Sequence, residues 1–209
     1  MYAGKPVIGI AGGIGSGKSF VARLFGELGA LVISSDDQVT DAYRDPEVRR
    51  TLVDWWGADV IRPDGEINRK LIGAKVFANP AERRRLETLL HPRVHAARER
   101  AMAATGPDPQ VVAFVWDTPL LFETDLHREC DAVVFVDAPL ETRLARVTQT
   151  RKWDAAELAR RENSQWGLDR KRNFADYVIS NTAGVDVARG QVQDVLSRIL
   201  AKTNQQHSP

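Results

Sequence analysis

Gly12-Gly13-Ile14-Gly15-Ser16-Gly17-Lys18-Ser19 fits the pattern G-x-x-x-x-G-K-[ST]. Those residue types at that spacing suit one task, cradling a chain of phosphates. The glycines let the backbone curl around an anion with no Cβ in the way. The N–H groups exposed by that curl form an anion nest, and a helix opening near Gly17 adds its positive end. Lys18 can carry a point charge to the β- and γ-phosphates, and the Ser19 hydroxyl can ligate Mg2+. The flanks agree with this reading. Pro6-Val7-Ile8-Gly9-Ile10-Ala11 reads as a buried strand, and Phe20 to Leu28 carries apolar residues at helical spacing. The stretch therefore predicts a nucleoside triphosphate as ligand.

Carboxylates and arginines complete the chemistry. Asp36 and Asp37 follow an apolar strand at Ala30–Ser34, and Asp117 ends another at Val111–Trp116. Ligands of open α/β sheets bind beyond the carboxyl ends of the strands, so these residues fall at the active edge. One of the Asp36–Asp37 pair suits a general base or an orienter of Mg2+, and Asp117 resembles a Walker B carboxylate. Arg143, Arg146 and Arg151 lie along or just beyond a helix opened by Pro139, and Arg160, Arg161, Arg170, Lys171 and Arg172 follow. That composition predicts a lid over the triphosphate, because the arginine fork matches phosphate oxygens.

The elements that must position these groups alternate strand and helix. Five strands predict an α/β fold, a P-loop NTPase of three α/β/α layers with a five-stranded parallel sheet. Val39 to Ala104 is helical in pattern and too long for a simple crossover, so it reads as an insertion. The expected organisation is a nucleotide-binding core of 1–36, 107–140 and 175–202, a helical acceptor-binding insertion at 37–106, a lid at 141–174 and a frayed tail at 203–209. Asn79-Pro80-Ala81-Glu82 and Asp154-Ala155-Ala156-Glu157 carry helix-start signals. Pro92 is expected to break the helix that contains it.

The 209 residues are 43% apolar and 27% charged, with a formal net charge of +1. That balance gives no bulk argument for a nucleic-acid or membrane partner. A single cysteine, Cys130, agrees with a reducing compartment, and no apolar run approaches a membrane span. A cytoplasmic protein is expected, as a monomer or small homo-oligomer. A GTPase is excluded: Asp54-Trp55-Trp56-Gly57 lies in the helical stretch rather than after a strand, and no N-K-x-D occurs.

Further strings carry a resemblance over nearly the whole chain. Asp64-Gly65-Glu66-Ile67-Asn68-Arg69, Val76-Phe77, Leu86 to Pro92, Pro119-Leu120-Leu121-Phe122-Glu123, Arg161 to Gln165, and Ala175 to Asn181 occur in order. Together with the P-loop they resemble the dephospho-CoA kinase family, which carries out the last step of coenzyme A synthesis. The resemblance implies ATP-dependent phosphorylation of the ribose 3′-hydroxyl of dephospho-CoA, with Mg2+. It implies Asp36 as the base and an ATP site of Gly13, Ile14, Gly15, Ser16, Gly17, Lys18, Ser19, Phe20 and Arg151. Lys18 and Arg143 stabilise charge in that reading, and Ser19 and Asp117 hold the metal. On the acceptor side it implies Asp36, Arg69, Phe77, His91, Pro119 and Leu120. The chain departs from the family's D-A-D-x-x-A-R, reading Ser34-Ser35-Asp36-Asp37-Gln38-Val39-Thr40, and has Trp166-Gly167 after Gln165. A kinase for another small molecule and a nucleotide-dependent binding module remain the alternatives.

Overall fold

The fold is seen in a computed structural model that describes residues 1–205. The strands are β1 (Val7–Gly12), β2 (Ala30–Ser34), β3 (Ala113–Asp117), β4 (Ala132–Asp137) and β5 (Tyr177–Ser180). They form one five-stranded sheet in the order β2-β3-β1-β4-β5, with every pairing parallel. The helices are α1 (Lys18–Glu27), α2 (Ser35–Ala42), α3 (Pro46–Trp56), α4 (Arg69–Ala78), α5 (Pro80–Thr105), α6 (Leu140–Arg151), α7 (Ala155–Glu162), α8 (Leu168–Asn173) and α9 (Val185–Gln205).

The period-two alternation of the central strands sorts their side chains into two layers. Ile8, Ile10, Val115, Val134 and Val136 face a cluster built by Val21, Leu24 and Phe25 of α1 and Val192, Leu196 and Ile199 of α9. Ala11, Val133 and Phe135 face Leu121 and Phe122, with Trp166 and Leu168 at the margin. Each large side chain buried this way contributes roughly 1.5–3 kcal/mol. Gly9 is required on the second face, since a Cβ there would lie 2.7 Å from Leu121 Cδ2.

The chain divides into two compact units, Met1–Ser34 with the chain from Met102 onward, and Ser35–Ala101. The second holds α2, α3, α4 and most of α5 around Tyr43, Val48, Leu52, Val60, Ile67, Ile72, Leu86 and Leu90. Side-chain caps open three of its helices, the one at Asn79 as expected. Asp45 accepts from Glu47 N at 2.8 Å, Asn68 from Leu71 N at 3.1 Å and Asn79 from Ala81 N at 2.9 Å. In the first unit Asp154 caps α7 through Glu157 N at 2.8 Å.

Three expectations are corrected. The third strand begins at Ala113 rather than Val111, because Asp108 draws Val111 N into a turn at 3.2 Å. The polar segment from residue 203 is helical through Gln205, with Thr203 buried and its hydroxyl donating to Ile199 O at 2.9 Å. The remainder of the expected tail, 206–209, lies outside the described residues. Finally, α5 runs straight through Pro92. Pro92 has no N–H for the Thr88 carbonyl four residues back, and Arg93 ties the same turn, donating from Nη1 to Leu89 O at 2.9 Å. Its other arms reach Glu47 at 2.7 Å and Asp45 at 3.4 Å. Packing of Leu86 and Leu90 does the rest. Arg93→Ala is therefore expected to lower stability by about 1–2 kcal/mol in urea titration, and by less in a Pro92→Ala background, where a backbone amide at 92 restores the bond to Thr88 O and the turn depends less on the arginine. Equal losses in the two backgrounds would show that Arg93 does not support the proline turn.

Candidate active site

The P-loop leaves the carboxyl end of central strand β1 and enters α1 at Lys18. Its path needs left-handed backbone at Gly15 (φ +77) and Gly17 (φ +93). The neighbours enforce glycine as well. A Cβ on Gly17 would lie 2.2 Å from Asn181 Nδ2, and one on Gly15 2.7 Å from the Arg143 carbonyl oxygen.

The loop's carbonyls are held from one side. Asn181 Nδ2 donates to Ser16 O at 2.8 Å. Arg146 Nη1 donates to Ser16 O at 3.0 Å and Gly15 O at 3.3 Å, and its Nη2 to Asn181 O at 2.9 Å. Arg143 is buried, donating from Nε to Ala138 O at 3.1 Å and from Nη1 to Ile14 O at 3.4 Å, and it pairs with Glu162 of α7. A trans peptide points its N–H opposite to its C=O. The Gly15 and Gly17 amides of those peptide units are thus turned away from this brace, as in an anion nest, while Ser16 N donates within the loop to Gly13 O at 3.2 Å.

Lys18 is half-buried, its Nζ donating to Gly13 O at 2.9 Å and Gly12 O at 3.2 Å. Burial pulls its ammonium down to a pKa of about 8, against the raising effect of Asp117, while Lys171 and Arg151 push it further down. Asp117 is buried at the end of β3, in register with Ile10 of β1 and Ser34 of β2. Asp36 lies two residues beyond Ser34, in the first turn of α2.

Ser19 is exposed in the first turn of α1. Phe20 packs on the α1–α9 core. Arg151 is stacked on Trp153, its Cζ 4.8 Å from the ring centroid. Pro119 and Leu120 lie in the turn after β3. In the unit Ser35–Ala101, Arg69 opens α4, and Phe77 and His91 are exposed on α4 and α5. The structure thus gathers the P-loop, Asp117, Arg143, Arg146 and Asn181 at the ends of β1, β3 and β5.

Sequence reasoning missed four residues here. Asn181 and Glu123 were the last letters of recognised strings, and Arg146 was one arginine among several. Lys171 looked like a lid cation but is buried, ion-paired to Glu123 at 2.9 Å and bonded to Gln165 at 2.9 Å. Glu123 also accepts from Trp166 N at 2.8 Å. Trp166 stacks on Phe122 with centroids 5.4 Å apart, so the departure from the family string fills an aromatic pocket.

The donors present suit Mg2+. A hydroxyl at Ser19 and a carboxylate at Asp117 are hard oxygen ligands, and Ser16 Oγ is buried with no hydrogen-bond partner. Among the described residues no cluster of three or more His, Cys, Asp or Glu could hold a metal.

Gly17→Ala combines a clash with left-handed strain of about 1–2 kcal/mol, and is expected to weaken nucleotide binding at least tenfold (about 1.4 kcal/mol) in titration calorimetry. Asn181→Ala, which leaves Ser16 O to Arg146, should weaken binding as well, by a smaller factor. Unchanged binding in Gly17→Ala would show that glycine is not required at 17.

Comparison with known proteins follows the same lines. The family profile for dephospho-CoA kinase matches residues 6–186. A dephospho-CoA kinase of Anaeromyxobacter dehalogenans is 37% identical, covering 91% of this chain and 90% of its own. One of Syntrophotalea carbinolica is 36% identical, covering 93% and 92%. A crystal structure of a Thermus thermophilus protein superposes with a TM-score of 0.77 at 28% identity, covering 95% of this chain and 97% of that one. Among the described residues no helix is long and apolar enough to cross a membrane. The phosphate cradle, its brace and the match over residues 6–186 agree, and the chain belongs to the dephospho-CoA kinase family.

Proposed function

We infer that the protein transfers the γ-phosphoryl group of ATP to the ribose 3′-hydroxyl of dephospho-CoA, giving coenzyme A and ADP. The observation that carries this is the braced P-loop, with peptide N–H groups and Lys18 on one side and Asp117 beside β1. Such a site can neutralise charge on a transferring phosphoryl group, which is most of what this chemistry asks of a protein.

In the reaction the acceptor 3′-oxygen forms a bond to the γ-phosphorus as the bond to the β,γ-bridging oxygen breaks. The hydroxyl proton goes to the Asp36 carboxylate, and the electron pair of the broken bond leaves on ADP. Gly13 to Ser19 bind the phosphates and Lys18 offsets charge on the γ-phosphoryl. Ser19 and Asp117 would hold Mg2+, which would supply charge neutralisation at the phosphates. Arg143 and Arg146 hold the loop in shape, and Arg151 turns from Trp153 toward the phosphates as a lid of 141–174 closes. The helical stretch 37–106 takes the acceptor, with Arg69 on a phosphate and Phe77 and His91 beside the pantetheine arm or base. Pro119 and Leu120 line the acceptor's path. The partners are small molecules, and a cytoplasmic monomer or small homo-oligomer suits the single cysteine and ordinary composition.

Asp36→Asn is expected to lower kcat by about 10²–10⁴-fold with unchanged thermal stability. Near wild-type turnover would remove Asp36 from the role of base. An acceptor panel of dephospho-CoA, nucleosides and shikimate, read by ADP release, should single out dephospho-CoA. Preference for another acceptor would favour a different small-molecule kinase.

Lys18 supplies a pH signature. Its pKa is about 8 in the folded protein against an ordinary 10.5. Between these values the unfolded chain binds more protons, so this group makes stability rise with pH through that window and contributes no slope below it. Phosphate binding favours the ammonium form. Calorimetry at about pH 8.5 in buffers of different ionisation enthalpy should therefore show proton uptake on ATP binding, fading at about pH 6.5. Uptake that is absent at the higher pH would contradict the assignment of Lys18 to the phosphates.

A further inference from the structure

Within the unit Ser35–Ala101, the hydroxyl of Thr40 joins two residues of the proposed reaction. Thr40 Oγ1 donates to the Asp36 carbonyl at 2.7 Å, one turn back on α2. It accepts from Arg69 Nη2 at 2.6 Å. A hydroxyl has one hydrogen, and with that hydrogen on the carbonyl its lone pairs face the guanidinium. Tyr43 supports the same arginine, its buried ring having a centroid 5.4 Å from Arg69 Cζ. Arg49 ties Tyr43 in turn to the turn leading to Arg69, donating to Tyr43 O at 3.0 Å and Gly65 O at 2.6 Å. The Arg69 backbone is fixed by the Asn68 cap of α4.

An exposed arginine normally samples many rotamers, and ordering it on binding costs free energy. Here the backbone, the hydroxyl and the ring restrict it before any ligand arrives. Position 40 is basic in the pattern the chain otherwise resembles. An arginine or lysine there has no lone pair to offer and would repel Arg69. The threonine therefore does what a basic side chain at this position could not.

We propose that Thr40 is a positioning residue for the acceptor: it aims Arg69, backed by Tyr43, at a phosphate of dephospho-CoA. The inference rests on Arg69 as the acceptor contact given above. The test is steady-state kinetics on the full chain with dephospho-CoA and ATP varied separately. Thr40→Val, which keeps the shape and removes the hydroxyl, should raise KM for dephospho-CoA about fivefold to tenfold, with KM for ATP and Tm unchanged. Thr40→Ser should restore it. Arg69→Ala should raise that KM at least as far, and Thr40→Val should add nothing in its background, since residues that act through one contact are not additive. An unchanged KM in Thr40→Val, additive effects in the double variant, or an Arg69→Ala variant with normal KM each overturns the proposal. Failure of the functional reading looks different, as wild-type protein that makes no coenzyme A at all.

Discussion

The structure depends on which way three peptide planes of the P-loop point. A cradle for phosphate needs amides turned inward, which turns the carbonyls of Ile14, Gly15 and Ser16 outward, where they need partners. Arg143, Arg146 and Asn181 are those partners. Much of the fold follows from delivering them. Both arginines come from α6, so α6 must run beside the loop. Asn181 follows β5, whose pairing of Ser180 with Asp137 of β4 sets its height at the sheet edge. The order β1-β4-β5 is thus part of the nucleotide site as well as of the core.

Charge around the loop is arranged in the same economy. Buried or half-buried cations at Lys18, Arg143, Arg146 and Lys171 outnumber the acids that meet them, Asp117, Glu123 and Glu162. Burial is the main reason that Lys18 titrates low, with Lys171 and Arg151 adding to it, and the positive excess suits a polyanion. Glu123 and Lys171 illustrate the other side of burial. Removing either partner would leave a charge uncompensated, which is costly, while the pair itself is a weak source of net stability. Its use is geometric. It fastens the turn after β3 to the Gln165–Trp166 link between α7 and α8.

The sequence was most legible where chemistry constrains backbone. The P-loop, its strand and its helix are where the glycines and Lys18 predict, because only glycine tolerates the conformations at 15 and 17. Central strands were legible as apolar runs, and caps at Asn79 and Asp154 announced their helices. Pro92 misled because the proline rule is local. A side chain four residues from Leu89 and two buried leucines override it. The brace was illegible for a related reason. Arg143, Arg146 and Arg160 look alike in a string, but Arg143 is buried against the P-loop while Arg160 is on the surface with Glu157. Only the tertiary structure separates an arginine that holds backbone carbonyls from one on a solvated helix face.

The most direct test of the account is product analysis after mixing the purified protein with Mg-ATP and dephospho-CoA. The account expects coenzyme A and ADP to appear in equal amounts, with the new phosphate on the ribose 3′-oxygen. ATP that is bound or hydrolysed while dephospho-CoA stays unchanged would contradict it.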